Sequence, residues 1–111
     1  MAIQLKNFLN VDLPAAQTTQ FQCPAGAKLI IDKVTGVNHF TANVNVSVNL
    51  VDFGDAPTNS NLVVKERTIA PGETYTFPEL VGQVLEEGDY FSTLCSLGSS
   101  ITMRVSGREI T

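Results

Sequence analysis

An all-β fold is predicted: a single antiparallel β-sandwich or jelly roll of about eight short strands with an N-terminal arm. Three features predict it. Between Thr68 and Thr111, short runs rich in β-branched and aromatic residues are cut by Pro71-Gly72, Val81-Gly82, Glu87-Gly88-Asp89 and Leu97-Gly98-Ser99-Ser100. Proline fixes φ and glycine reaches positive φ, so these cuts read as tight turns between strands. The run Asn43 to Phe53 alternates through Leu50, with Val44, Val46, Val48 and Leu50 on one face and Asn43, Asn45, Ser47 and Asn49 on the other. Such period-two alternation marks a half-buried strand of an antiparallel sheet. Helical signal is confined to Leu80–Glu87, where Gly82 argues against a stable turn.

The elements follow in order. Residues 1–17 form an N-terminal arm or edge strand, in which Ile3, Leu5 and Phe8 match neither the helical nor the strand period. Residues 18–111 form the sandwich domain. Its first strand, 18–23, stops at Pro24-Ala25-Gly26. Lys28 to Val37 carries Leu29, Ile30, Ile31 and Val34 and breaks at Gly36. After the alternating strand, Gly54 to Asn61 is the longest polar stretch and an exposed loop. Leu62 to Ile69 is closed by Pro71-Gly72, and the short run Thr74 to Phe77 ends at Pro78. Tyr90 to Ser96 and Ile101 to Ile110 make the final pair, with Ile101, Met103 and Val105 facing away from Thr102, Arg104 and Ser106.

A chain of 111 residues is one domain with room for a core. Charged residues make up 16% of it, so its surface must be built largely from Asn, Thr, Ser and Gln. The net charge is −4, and the seven Lys and Arg are scattered, which argues against a nucleic-acid partner. No stretch approaches the ~20 apolar residues of a membrane span, and no signal peptide opens the chain. Synthesis and folding in a cytoplasm are expected, with Cys23 and Cys95 as reduced, partly buried thiols; a disulfide between them is the alternative.

The chemistry-bearing residues do not assemble into a motif. His39 is the single histidine, and a metal or general-base role needs partners that the sequence does not supply. Neither C-x-x-C nor G-x-S-x-G occurs. Asp52 and Asp55 with Asn59 and Asn61, and Glu86, Glu87 and Asp89, lack the offsets of an EF-hand and read as turn chemistry. No cofactor is expected, and no catalytic set. The face of Asn43, Asn45, Ser47 and Asn49 is either the solvent side of a strand or a polar contact for another subunit or a sugar. Exposed Trp platforms would favour a sugar, and the chain has no Trp.

The segments CPAG (Cys23 to Gly26), LIIDKVTGVN (Leu29 to Asn38), TIAPGETYTFPELVGQVLEEGD (Thr68 to Asp89) and SGREIT (Ser106 to Thr111) resemble small virion proteins of tailed bacteriophages. The likeness runs from residue 18 nearly to the end, and its motifs are turn and strand signatures. It implies a capsid decoration (cement) protein or a tail-associated piece, often trimeric, with the major capsid protein or other virion proteins as partners and the virion as its location. A second likeness, of PGET and VLEEGD to the cadence of cupin barrels, implies a jelly roll without the several metal-binding histidines of cupin enzymes. The expectation is therefore a homo-oligomeric structural protein of the shell. The alternatives are a tail or head-fibre element and a soluble sugar- or small-ligand-binding jelly roll. Two attachment regions are expected. One is the arm, with Ile3, Leu5 and Phe8, removable without unfolding the sandwich. The other is the polar loop, with Asp55, Asn59 and Asn61; the strand face with Asn43, Asn45 and Asn49 adds a third surface.

Overall fold

The alternating valines set the architecture, because a strand with one apolar face must lay that face against a second layer. The computed structural model describes residues 2–111 and shows that second layer: two antiparallel sheets packed face to face. In chain order the strands are β1 (Ile3–Asp12), β2 (Thr18–Gln22), β3 (Lys28–Asn38), β4 (Val44–Val51), β5 (Leu62–Ile69), β6 (Thr74–Tyr75), β7 (Val84–Leu85), β8 (Tyr90–Cys95) and β9 (Ile101–Ile110). One sheet runs β1-β9-β3-β6 with β7 also paired to β3, and the other runs β2-β8-β4-β5. Counting β6 and β7 as two pieces of one strand position gives eight positions in the order of a jelly roll. No α-helix occurs among the described residues; Asn59–Asn61 form a single 3-10 turn.

Between the sheets lie Val44, Val46 and Val48 of β4, Leu29, Ile31 and Val34 of β3, and Ile101, Met103 and Val105 of β9, all buried. Phe8, Phe21 and Phe91 close one side in a row, with centroid separations of 5.4 and 4.8 Å. Phe77 and Leu80, from the segment between β6 and β7, plug the other side and are fully buried. Phe77 turns inward at φ 46°, which ends the expected Thr74–Phe77 strand at Tyr75. Its ring lies against Gly36, where a Cβ would stand 2.9 Å from Phe77 Cε1.

The N-terminal segment is an edge strand, not a free arm. β1 pairs along its length with β9, from Ile3 opposite Ile110 to Asp12 opposite Thr102. The register shifts between Asn7 and Leu9, and this bulge puts Leu9 on the core side together with Phe8. The face parity of β1 therefore switches midway: Ile3 and Leu5 face outward and Phe8 inward by simple alternation, and past the bulge Leu9 faces inward as well. Leu9 and Leu13 belong to the core, at 6% and 0% exposure. Residues 2–13 are thus part of the sandwich and not a removable appendage.

Both cysteines are free and buried, so the reduced reading holds and the disulfide alternative falls. Their thiols bond to the carbonyls of Ala27 and Leu97, each at 3.2 Å. Asn38 is the polar anchor of the core. Its amide nitrogen donates to the Ala42 and Ile69 carbonyls at 2.8 Å, and its Oδ1 accepts from Phe40 N–H.

Candidate interaction surface

The residues singled out from the sequence fall on two opposite faces. Asn45, Ser47 and Asn49 lie on the outer face of the β2-β8-β4-β5 sheet, opposite the valines. Ser47 and Asn49 are nonetheless buried, because the loop after β4 folds back across them. Asn49 Nδ2 donates to the Thr58 carbonyl (2.9 Å) and to Asn61 Oδ1 (2.7 Å). Asn61 Oδ1 also accepts from Thr58 N–H, and its Nδ2 donates to the Ala56 carbonyl. Tyr90 Oη donates to the Asp55 carbonyl at 2.7 Å. Asn49 and Asn61 thus hold the loop down through their amides.

Asp55 and Asn59 stay exposed on this loop, and Asn43 is exposed just before β4. Asn45 Oδ1 accepts from the Thr68 hydroxyl at 2.8 Å. Ser47 Oγ accepts from Glu66 N–H (2.8 Å) where β5 bulges and Glu66 takes φ 48°. A shallow hollow of about 180 Å³ remains beside them, lined by Gln17, Ser47, Thr58, Lys65, Glu66 and Leu94 among others. The sequence placed the amides on one face correctly; that Asn49 binds the following loop and Asn45 binds β5 follows from contacts across nine or more positions.

The other face carries an apolar patch. Ile3 and Leu5 point outward from the β1-β9-β3 sheet, with 56% and 83% of their surface exposed. Phe8 is separated from them: three positions on from Leu5, it alternates to the inner face and packs against Phe21. Cross-strand pairing extends the exposed pair into a patch that the sequence reading missed. Leu5 lies opposite Arg108, Arg108 opposite Ile30, and Ile30 opposite Val84, while Ile3 lies opposite Ile110. Opposed residues of an antiparallel pair share a face, so Ile3, Leu5, Ile30, Val84 and Ile110 form one surface. The available signal was Leu29-Ile30-Ile31: three apolar residues in a row on a strand must send one outward. Within the patch, Arg108 is bound twice to Asp32, through Nε and one terminal nitrogen, each at 3.0 Å. That carboxylate holds the guanidinium above its ordinary value.

The titratable groups elsewhere serve turns and strand ends. Asp89 accepts backbone N–H groups from Phe53 and Glu86, which caps the corner before β8. His39 Nε2 lies 3.6 Å from Asp12 Oδ1 at the surface. The hydroxyl of Thr102, at 2.6 Å, and secondarily His39 hold the Asp12 carboxyl below its ordinary 3.8. Among the described residues, no three of His, Cys, Asp and Glu come together as a metal site. No helix there is long and apolar enough to cross a membrane. Comparison with protein-family models, with curated proteins and with solved structures returns no match.

Proposed function

We propose that the chain is a non-enzymatic structural component of a bacteriophage particle, a capsid decoration (cement) protein that stabilises the shell through subunit contacts. Its motifs from residue 18 onward support this, as does a jelly roll, an architecture used by viral capsid proteins among others. Fold alone does not assign a role, so the reading is carried by one surface observation. An apolar patch beside a strand edge, with Leu5 83% exposed, supports a contact with another protein. A surface with few charges also loses little hydration on burial against neighbours. The major shell protein is the proposed partner, and the chain is proposed to act as a homo-oligomer.

Quantitative mass spectrometry of purified particles tests this. The expected result is a copy number of the same order as the shell subunit. A few copies per particle would move the chain to the tail or a head fibre, and absence from intact particles would overturn the reading.

A further inference from the structure

We infer that the β1 edge is a self-pairing surface whose occupant is β1 of a second copy, joined antiparallel about a two-fold axis at Leu5. β1 ends its sheet, with β9 on one side and, among the described residues, no strand on the other. Ala2 and Thr111 exchange backbone N–H···O bonds, both 2.9 Å. By the alternation of an antiparallel ladder, Ala2, Gln4 and Lys6 then direct their backbone groups at β9. Ile3, Leu5 and Asn7 direct theirs out of the sheet. The bulge after Asn7 ends this flat stretch, so the usable edge is Ala2 to Asn7.

Of the devices that keep strand edges apart, the stretch from Ala2 to Asn7 carries a single charge, Lys6, and the bulge lies beyond its end. The stretch contains no proline, and its outward-bonding positions carry no charge. Pairing about Leu5 sets Leu5 against its own copy, Ile3 against Asn7 and Gln4 against Lys6. No like charges meet. Lys6, the one charged residue of the stretch, already reaches Glu109 at 3.2 Å within its own chain. A register centred on Asn7 would instead set Lys6 against Phe8 and run into the bulge on both chains. The Leu5-centred register engages the outward-bonding positions Ile3, Leu5 and Asn7 of both chains with one another, an isologous contact. It also brings the two apolar patches together, placing the Leu5 side chains side by side, with Ile3 and Ile110 near each and Arg108 between Leu5 and Ile30.

The contact is two-fold, unlike the trimer that the phage resemblance implies, so the assembled mass decides. Sedimentation equilibrium of the intact chain is expected to give twice the 12.0 kDa protomer mass. Leu5→Lys, which sets like charges opposite each other, is expected to give a monomer with an unchanged circular dichroism spectrum. Leu5→Pro is a second variant: it removes an N–H that faces solvent in the monomer, where an edge strand tolerates proline. Leu5→Cys should form a disulfide-linked dimer on mild oxidation, because paired Cα atoms at about 5.5 Å are within disulfide reach. Asn10→Cys, beyond the bulge, should not. A monomer at all concentrations, or a trimer indifferent to Leu5→Lys, would overturn the inference. Either result leaves the particle reading to its copy number, and a dimer absent from particles would overturn that reading alone.

Discussion

Gly107 shows how one residue can fix a sheet. It sits in β9 between the bulge of β1 at Phe8 and the register shift of β3 between Ile31 and Lys33. A Cβ there would fall on the Ile30 carbonyl oxygen and within 2.8 Å of the Phe8 ring. Neither the backbone of a central strand nor a packed ring can yield far. Gly107→Ala is expected to cost about 3 kcal/mol or more, at the upper end of overpacking effects, read as a lower urea midpoint. The cysteines give a second prediction. Burial, the first cause at both sites, raises the Cys23 and Cys95 thiols above 9.0. A raised acid favours the fold fully below its unfolded value, and that contribution is lost as pH rises through the folded value. Both thiols should therefore resist a thiol reagent at neutral pH until denaturant is added, and thermal stability should fall above about pH 9.

Among the elements, β1 gives the sharpest test. Deleting residues 2–13 removes Leu9 and Leu13 from the core and uncovers the length of β9. Two buried leucines account for about 3–6 kcal/mol, comparable with the whole stability of many domains of this size. The deletion is expected to abolish cooperative unfolding, and a truncated chain with a native-like melting transition would overturn that. The strands with clean alternation were legible to within a residue or two: β5 and β9 lie where their patterns place them, and β4 loses only the ends of Asn43–Phe53. β1 was ambiguous because a bulge inverts face parity, and parity is the signal that sequence reading uses. β7 was not foreseen. Two residues, Val84 and Leu85, are too few for any period to register, and their pairing with Leu29 and Ile30 is set by the turn at Gly82.

For the molecule as a whole, the jelly roll was legible because turn signals and strand patterns agree along the chain. The surfaces were less so. The amides of β4 were placed on one face from spacing alone, yet Asn49 and Asn61 proved to be partners of each other. Residues distant in sequence decide that, as they do the gathering of Ile3, Ile30 and Ile110 on one patch. The position of β9 has a further consequence. It lies in the middle of its sheet, between β1 and β3, though both of those emerge from the ribosome long before it. Until residues 101–110 are made, β1 has no neighbour in its sheet and β3 has only the two short strands β6 and β7. Assembly of this sheet must therefore wait for the late strand, and a product of interrupted synthesis stays unfolded and open to proteolysis. The topology acts as a check on completeness: only chains translated through β9 can close this sheet.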